Sequence, residues 1–400
     1  MRFLLLPSNH TLSHLAKCLA LRERLLAAGH EVHLAASAAR SAFLRRLRVP
    51  HHLLPDLCEA DGGSSPSFAW FRPARFEASV RAELELIHRL HPDRVLGVFR
   101  FTAAVSARLA GVPCDSLVCG CVTPACGEVL GFSPGEPGEQ AQADALAFFR
   151  RASASRIGPA LHRLGAAPVG DAWELVLGER TFLWDTPEFQ PLRPLAGLVH
   201  VGPVSFAGWP VDPFALERLA ALPPPLAVVC FGTGDSHAAV AARLTAVLLS
   251  MGFSVARASG GAGKVPDEGP RVASFEFLPM PEALARAALV ACHGGQGIAF
   301  EALGQRVPVA VVPFQPEQAQ NGRCLERLGC GLRLEHGPVA LPGEPSAEES
   351  FLSRPVAGVA KRIDALLSAR EGPSRRRAAA EMVGRSGGIA ALASALERRP

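Results

Sequence analysis

The sequence predicts an α/β fold of two domains, each built on a parallel sheet that is covered by helices. Three observations lead to this prediction. The chain has 400 residues, which is too long for one ordinary core and suits two domains of common size. Short apolar runs alternate with stretches of helical spacing in both halves. Between the halves lies a proline-rich segment, which can neither extend a helix nor pair fully in a sheet.

The first half alternates between strand and helix patterns from its first residues. An apolar run at 3–6 predicts a buried strand, and the apolar spacing at 12–28 predicts a helix. Gly29 ends that helix, because glycine adopts positive φ without strain. Strand patterns follow at 30–35, 94–98 and 116–119, and helical patterns at 102–110 and 141–154. Strands separated by helices indicate a parallel sheet with right-handed crossovers.

The second half repeats this alternation after the prolines. Strand patterns at 226–230, 253–257, 289–292 and 308–312 alternate with helical patterns at 238–249, 297–303 and 317–328. We predict a first domain at 1–205, a linker at 206–225, a second domain at 226–372, and a C-terminal helix at 373–400 that can pack back on the first domain. Ligands bind at the carboxyl ends of strands in open parallel sheets, so the domains are expected to face a cleft between them.

Composition excludes several classes of function. The formal charge of +4 is small, and no basic stripe is interleaved with aromatic residues, which argues against nucleic-acid binding. Three arginines at 375–377 indicate a solvated helix face, with weak attraction to an anionic membrane surface as the alternative. The N-terminal apolar run is too short for a signal peptide, and no run is long enough to span a bilayer. We therefore expect a cytoplasmic protein with reduced thiols.

The ten cysteines do not indicate a metal site. Cys114, Cys119, Cys121 and Cys126 form the densest cluster, and its spacing lacks the C-x2-C pairs of structural zinc sites. Two of its members end an apolar run, where cysteine behaves as a small hydrophobe. We predict no metal ligands in the chain.

The most informative stretch joins the strand pattern at 289–292 to the helix that follows it. Its sequence, HGGQG at 293–297, places glycines directly before a helix start. Glycines let the backbone approach a ligand closely, and the free N–H groups of a helix start attract phosphate. A nucleotide diphosphate suits such a turn, and Glu301 lies far enough along the helix to reach a ribose hydroxyl. Tight packing also requires glycine, so the turn alone does not decide the function.

Polar residues open the next helix as well. Glu317 and Gln318 follow the strand pattern at 308–312, at a second strand end beside the first. A carboxylate and an amide suit the hydroxyls of a sugar, which need both acceptors and donors. Helix-capping residues would produce the same pattern, so both interpretations stay open.

Several motifs occur in a fixed order along the chain. In the second half they are Phe277-Leu278-Pro279, the stretch at 293–297, Glu301, Pro308, Pro313, Glu317-Gln318, Asn321 and Gly329-Cys330-Gly331. In the first half they are Gly29-His30-Glu31-Val32, Arg108-Leu109-Ala110-Gly111-Val112-Pro113 and Val201-Gly202-Pro203. Together they resemble the inverting UDP-glycosyltransferase family, and most closely its bacterial branch of antibiotic and macrolide glycosyltransferases. The resemblance implies two facing Rossmann-like domains (the GT-B fold), which bind the acceptor N-terminally and a nucleotide-sugar C-terminally.

The resemblance also implies roles for individual residues of the second domain. The expected donor-binding residues are His293, Gly294, Gly295 and Gly297 at the diphosphate, Glu301 at the ribose, Glu317 and Gln318 at the sugar, and Met280 after Pro279 at the base. Thr233 stands in a turn that touches phosphate in relatives, although an ordinary capped strand-to-helix turn explains its sequence equally well. The expected co-substrate is a UDP- or dTDP-sugar, with no further cofactor and no metal.

The catalytic base follows from the same resemblance. In relatives a histidine precedes the terminal glycine of the first helix by a fixed distance, and counting back from Gly29 leads to His14. A neutral imidazole can remove the acceptor hydroxyl proton while that oxygen attacks the anomeric carbon. His10, in the loop after the first strand, is the rival candidate.

Four positions depart from the family pattern. Val98 stands where relatives place an aspartate that orients the base histidine. Ile298 replaces a hydroxyl residue, Met280 replaces a Gln or His, and Glu317 replaces an Asp. Without the aspartate, another acid substitutes, or His14 works unaided, or the reaction is slow. The departures together indicate an unusual donor or lost activity.

Two further features of the first half have alternative interpretations. Arg100 is either a cation beside the cleft, which attracts a charged acceptor or the donor phosphate, or a surface arginine at a helix start. The aromatic residues between positions 68 and 76 line an apolar acceptor pocket or pack in the core: Phe68, Trp70, Phe71 and Phe76.

Three functions fit this architecture. The first is an inverting glycosyltransferase that moves a sugar from a UDP- or dTDP-linked donor to a hydroxyl of a small, apolar acceptor, and the donor residues with His14 favour it. The second is a catalytically silent nucleotide-sugar-binding or partner protein, which Val98 and Ile298 favour. A sugar-nucleotide epimerase is disfavoured because the motifs match transferases. We expect the transferase.

Overall fold

The structure is a computed structural model, which describes residues 1–60, 66–232, 237–260, 269–336 and 346–398. It forms two compact units. The first contains Met1–Gly127, Ala143–Gly208 and Ser386–Pro400, and the second contains Glu128–Gln142 and Trp209–Arg385. The chain therefore passes from one unit to the other more than once, and each unit is assembled from separate stretches of sequence.

The first unit is built on a parallel sheet. Within the described residues its strands are β1 Arg2–Pro7, β2 Glu31–Ala36, β3 His52–Leu53, β4 Arg94–Val98, β5 Cys114–Val118, β6 Thr181–Leu183 and β7 Leu198–His200. Their order is β3-β2-β1-β4-β5-β6-β7, and all neighbours pair in parallel. The chain order reverses between β1 and β4, which is the position where open parallel sheets form a ligand-binding crevice.

Helices cover this sheet. They are α1 Leu12–Ala27, α2 Ala38–Arg46, α3 Pro73–Leu90, α4 Ala103–Leu109, most of α5 Glu139–Leu164, and α14 Gly388–Glu397. The side chains at 3–6 in β1 are completely buried, as expected for a central strand covered on both faces. Gly29 has φ +81° and follows α1 after one residue, as its sequence position predicts. The sequence thus specifies the centre of the sheet by an uninterrupted apolar run.

The second unit is also built on a parallel sheet. Its described strands are β8 Leu226–Cys230, β9 Ser254–Ala258, β10 Val272–Phe275, β11 Ala287–Cys292, β12 Val309–Val311 and β13 Gly331–Arg333. Their order is β10-β9-β8-β11-β12-β13, again with parallel pairs throughout. The reversal of chain order lies between β8 and β11. The core on one face joins strand residues to the helix at 238–250 through Val240, Leu244 and Leu248.

The helices of the second unit follow its strands. They are α6 Ala215–Ala220, α7 Ala238–Ser250, α8 Met280–Arg286, α9 Gln296–Gly304, α10 Pro316–Arg327, α11 Ala347–Ser353, α12 Val356–Ser368 and α13 Gly372–Arg385. The proline-rich stretch at 206–225 contains α6. The range 373–400, treated as one helix on sequence grounds, contains α13 in the second unit and α14 in the first. The prediction of two α/β domains on parallel sheets is confirmed.

Candidate functional site

The predicted phosphate turn lies at the reversal point of the second sheet. β11 ends at Cys292, His293 follows, and α9 begins at Gln296 with Gly295 as its N-cap. The His293 ring lies between glycine backbones: a Cβ on Gly232 would lie 3.3 Å from its Cε1, and a Cβ on Gly295 would lie 2.6 Å from its Nε2. Any larger residue at these glycines would displace the imidazole.

The His293 imidazole is held neutral. Burial lowers its pKa to about 4, so it carries one N–H and one lone pair at neutral pH. Its Nδ1 atom is buried and forms no hydrogen bond with any of the described residues. A buried polar atom that lacks a hydrogen-bond partner destabilises the folded state, and a ligand or a water molecule can satisfy it. The Nδ1 atom of His293 therefore has unused hydrogen-bonding capacity beside the N-terminus of α9.

A second turn packs against this one. Gly294 has φ +89°, and a Cβ there would lie 2.7 Å from the carbonyl oxygen of Gln318 in α10. The Nδ2 of Asn321, also in α10, donates to the carbonyl oxygen of Gly294 over 2.9 Å. The backbone N–H of Phe314 donates to the Oε1 of Gln318 over 2.8 Å. The amide oxygen of Gln318 is thus engaged locally, and its amide N–H groups are the atoms left to meet a ligand.

The remaining predicted donor residues lie on the same elements. Glu301 is partly exposed on α9, and its carboxylate acts together with burial to raise the pKa of the Cys230 thiol at the end of β8. Glu317 is partly exposed in the first turn of α10. Met280 begins α8, and Gly297 lies in the first turn of α9 with open space around its Cα. Thr233 lies outside the described residues.

A pocket beside Gly232 escaped the sequence analysis. It opens at the carboxyl ends of β8 and β9, and its lining includes His237, Arg257 and Ser259. Arg257 is buried, and its Nε and Nη2 donate to the Ser274 hydroxyl over 3.1 and 2.9 Å. The signal was present, because an arginine ends the predicted strand at 253–257. The guanidinium of Arg257 thus lines a pocket that also contains Gly232, the glycine whose backbone packs against the His293 ring.

The pocket is connected to the α10 turn through stacked rings. The imidazole of His237 lies face to face with the ring of Phe314, with 3.5 Å between the ring centroids and 3° between their planes. Burial lowers the pKa of His237, so this ring is also neutral at physiological pH. Described residues that follow β8, β11 and β12 are therefore in contact in the second unit, with Gly232 against His293 and His237 against Phe314.

In the first unit, His14 lies in the first turn of α1, beside the reversal point of the sheet. Its ring is surrounded by aromatic rings, with centroid distances of 4.7 Å to His10, 5.4 Å to Phe99 and 5.5 Å to Trp184. Burial, followed by the neighbouring His10 and Lys17, lowers the pKa of His14 well below its usual value. The ring is consequently a neutral base at physiological pH.

No carboxylate orients this imidazole within the described chain. The Nδ1 atom of His14 is buried and has no hydrogen-bond partner there, and Val98 is a fully buried apolar residue of β4. The rival residue His10 is held differently, since its Nδ1 lies 2.8 Å from the Ser8 hydroxyl and burial lowers its pKa to about 4. Of the alternatives raised by Val98, substitution by another acid finds no support in the described residues.

Both interpretations of Arg100 were wrong. Its guanidinium is buried, with Nη1 2.9 Å from Asp56 and Nε 2.6 Å from Glu83. It also donates to the carbonyl oxygens of Pro7 and Pro55 over 3.1 and 2.8 Å. Charge compensation by two carboxylates explains why it is neither at the surface nor available to a substrate. Arg100 instead fixes the backbone beneath the loop that carries His10.

The aromatic cluster of the first half is mostly core. Trp70, Phe71 and Phe76 are completely buried, whereas Phe68 is 37% exposed. Trp70 still contributes to the surroundings of the base, because its ring packs edge-on against His10 at 5.1 Å. Core packing thus describes three of the four residues. The cysteines at 114, 119 and 121 are likewise buried, and none of the ten cysteines, all of which are described, forms a disulfide.

Comparison with known family models gives a match within the second unit. Residues 242–337 match the model of the glycosyltransferase family 28 C-terminal domain. The chain is 26% identical over 364 residues to a PGL/p-HBAD biosynthesis rhamnosyltransferase of Mycobacterium bovis, a match that covers 83% of this chain and 76% of that relative. It is 31% identical over 182 residues to the demethyllactenocin mycarosyltransferase of Streptomyces fradiae, covering 43% of this chain and 35% of that relative.

Solved structures match the whole chain. The glycotransferase of kitacinnamycin superposes with a TM-score of 0.71 at 18% identity, covering 99% of this chain and 98% of the other. The spinosyn rhamnosyltransferase SpnG, complexed with spinosyn aglycone, gives 0.69 at 18% identity with complete coverage of both chains. The Streptomyces sp. SF2575 glycosyltransferase SsfS6, complexed with thymidine diphosphate, gives 0.65 at 19% identity, also with complete coverage.

Two parallel-sheet α/β units that match these structures define the class: the chain has the GT-B fold. The matched domain and the relatives add the activity, and the chain is a glycosyltransferase related to those named for antibiotic and PGL/p-HBAD biosynthesis. The predicted resemblance to bacterial antibiotic glycosyltransferases of the GT-B fold is therefore confirmed. Among the described helices, none combines the length and the apolar character needed to cross a membrane.

Proposed function

We propose that this glycosyltransferase moves a sugar, with inversion, from a UDP- or dTDP-linked donor to a hydroxyl of a small, apolar acceptor, with His14 as the general base. The observation that carries the proposal is the position of His293 in the second unit, where a buried, neutral imidazole beside the N-terminus of α9 has an Nδ1 atom with no partner among the described residues. The structural neighbour SsfS6 was solved in complex with thymidine diphosphate, which supports nucleotide binding by a protein of this fold.

On the donor side, each group meets a part of the ligand that it matches chemically. His293 and the N–H groups at the start of α9 donate to the diphosphate, whose negative charge they stabilise. Glu301 accepts from the ribose hydroxyls. The sugar contacts Glu317 and the amide N–H groups of Gln318. The pocket beside Gly232, which Arg257 helps to line, is adjacent to the proposed diphosphate position because Gly232 packs against the His293 ring.

The reaction is a single displacement. The acceptor hydroxyl gives its proton to His14 while its oxygen forms a bond to the anomeric carbon. The bond from that carbon to the diphosphate oxygen breaks, and the diphosphate leaves with the electron pair. Because the leaving charge is met by N–H donors, we expect no requirement for a metal ion, which activity in excess EDTA would test.

The surroundings of His14 favour an apolar acceptor. The base lies among the rings of Phe99 and Trp184, and a ligand that reaches it has to displace water from aromatic surface. The complex of SpnG with spinosyn aglycone supports an aglycone as the acceptor in a protein of this fold.

A catalytically silent nucleotide-sugar-binding protein is the second candidate. The observation that favours it is the unpartnered Nδ1 of His14, because an imidazolium without a carboxylate is less stabilised during proton transfer. Both candidates bind nucleotide, so only turnover separates them.

The test is a transfer screen of the purified chain with UDP- and dTDP-sugars and a panel of aromatic and macrolide alcohols, read by mass spectrometry. Wild type should yield a product heavier by one glycosyl residue. His14→Phe should lose at least about 100-fold in rate, while the matched variant His10→Phe keeps most of it. Product from neither wild type nor variants, despite nucleotide binding, would support the silent protein. Loss of activity in His10→Phe alone would move the base to His10.

A further inference from the structure

A short segment from the first half of the sequence packs on α10 in the second unit. We call residues 128–132 the α10 strap. They belong to the second unit, as part of the segment 128–142, whereas the stretches on either side of that segment, 1–127 and 143–208, belong to the first. The strap follows the loop after β5, and the sequence patterns gave no indication of this packing. Leu130 and Phe132 of the strap are buried.

Glu128 joins the strap to one face of α10. Its carboxylate accepts from Gln320 Nε2 over 2.6 Å, from Arg327 over 3.3 Å, and from Arg323. Residues 320, 323 and 327 are spaced by three and four, so they share a helix face. Burial raises the pKa of Glu128, but the hydrogen bonds from Arg323 and Gln320 outweigh it and lower the pKa overall. The carboxylate is therefore ionised at neutral pH and bridges two arginines of one helix.

Gly131 brings the strap backbone into direct contact with α10. Its φ is +86°, and a Cβ would lie 2.7 Å from the Cβ of Ala319. Its N–H donates to the Oε1 of Gln320 over 3.1 Å, and its carbonyl oxygen accepts from Arg333. Only glycine satisfies both the backbone conformation and the close approach at this position.

The opposite face of α10 is held by the phosphate turn, through the bond from Asn321 to Gly294. Gln318 lies on that face, two residues before Gln320, and Glu317 precedes it. The helix is thus fixed from two sides, and its first turn carries the two residues that the proposed function places on the sugar. Any shift of α10 toward or away from the strap would move these side chains relative to the phosphate turn.

We propose that Glu128 and Gly131 are positioning residues for the donor sugar, which act by holding α10 in register with the phosphate turn. The inference rests on the proposed function, because it assumes that a nucleotide-sugar occupies this surface. The two parts of the donor depend on the strap to different degrees. The nucleotide contacts on α9 do not depend on it, whereas the sugar contacts on α10 do. It therefore sets the extra affinity that the sugar adds to the nucleotide.

The test compares the dissociation constants of UDP with UDP-glucose, and of dTDP with dTDP-rhamnose, by titration calorimetry. The near-isosteric Glu128→Gln and the steric Gly131→Ala should bind the free diphosphates within about twofold of wild type and the sugar-linked donors about tenfold more weakly. Glu128→Asp should restore part of the loss. The matched control is Glu139→Gln. Glu139 lies in the same second-unit segment, 128–142, but outside the α10 strap, and it accepts a hydrogen bond from the N–H of Gly135.

Equal weakening of diphosphate and sugar-linked donor in Glu128→Gln, or no weakening of either, would overturn the positioning role and leave the proposed function intact. Weak binding in the control as well would do the same, because it would show a general effect of the segment. If wild type itself binds none of the four compounds, the proposed function fails, and the role of the strap fails with it.

Discussion

At the scale of single residues, the two histidines that matter most are both neutral, and the Nδ1 atom of each has no partner in the part of the chain that the structure describes. His293 achieves this between glycine backbones, and His14 among aromatic rings. Their tasks differ, since a phosphate needs an N–H donor and an acceptor hydroxyl needs a lone pair. A neutral imidazole supplies either, depending on which nitrogen faces the ligand.

The low pKa of His14 leads to a prediction about pH. Burial, His10, Lys17 and Arg40 all disfavour its protonated form, and only the backbone of Ser8 favours it. The base is thus competent at every pH above its lowered pKa, so kcat should stay within about twofold between pH 8 and pH 6. The measurement is a pH profile of kcat with saturating donor and acceptor. A fall in kcat below pH 7 that follows one titrating group would contradict a base with a depressed pKa.

The buried Arg100 predicts a large effect on stability. Arg100→Met leaves Asp56 and Glu83 without their shared counter-charge, and breaking such a buried pair costs about 3–5 kcal/mol. Urea unfolding at pH 7 measures the loss. Arg81→Met is the control, because Arg81 pairs with Glu77 at the surface and should leave the midpoint nearly unchanged.

The same pair gives the sign of the acid dependence. Burial raises the pKa of Asp56, yet Arg100 and Asn9 lower it overall, so its folded value lies below its unfolded value. The stabilisation is therefore present at neutral pH and is lost as pH falls through the folded pKa. The difference between wild type and Arg100→Met should shrink in acid, and a difference that grows in acid would refute this account of the pair.

At the scale of elements, the turn between β11 and α9 places different structural demands on its glycines. Gly294 combines a positive φ with backbone contact to Gln318. Gly297 lies in the helix, and a Cβ added there would have no neighbouring atom within 4 Å. The two glycines belong to one motif, yet for physical reasons only the first is irreplaceable in the folded state.

These two glycines form a matched pair of variants. Gly294→Ala should lower the free energy of unfolding by about 1–3 kcal/mol, because a Cβ is strained at positive φ and would lie too close to α10. Gly297→Ala should raise it by up to about 1 kcal/mol, since alanine is the better helix former. Chemical denaturation of both variants measures the contrast. Equal effects in the two variants would show that the turn is not held by the packing described here.

The sequence predicted central elements better than edge elements. The buried strand at 3–6 and the helix at 12–28 appear as Arg2–Pro7 and Leu12–Ala27, because uninterrupted apolar runs and helical spacing are local signals. Edge strands such as His52–Leu53 and Gly331–Arg333 were not predicted, since two or three residues carry no periodicity. The helix at Pro73–Leu90 was not among the predicted elements.

The candidate site shows the same division. The predicted donor residues on α9 and α10 are brought together because they follow neighbouring parallel strands, which a single sequence reveals. Arg100 was misread because its partners Asp56 and Glu83 are distant in sequence, and ion pairing over such a distance leaves no local pattern. The α10 strap was missed for the same reason, since Glu128 meets its arginines almost two hundred positions later. The predicted roles of the site residues remain predictions.

At the scale of the whole molecule, both units place their candidate residues where the order of their parallel strands reverses. His14 follows β1 at the reversal of the first sheet, and His293 follows β11 at the reversal of the second. Open parallel sheets form ligand sites at these points for a geometric reason, because the connections diverge there to opposite faces. The fold thus provides one such position in the unit with the proposed base and one in the unit with the proposed donor site.

The most direct measurement is a thermal-shift screen of wild type against UDP, dTDP, GDP and their sugars, repeated with Glu301→Ala and with Glu217→Ala as a surface control. At a hundredfold excess over the dissociation constant, a bound nucleotide adds about 2.7 kcal/mol, or roughly 5–10 °C for a unit of this size. We predict such a shift for UDP or dTDP in wild type and in Glu217→Ala, and its loss in Glu301→Ala. No shift for any nucleotide in wild type, or the same shift in all three proteins, would contradict a donor site at His293 and Glu301.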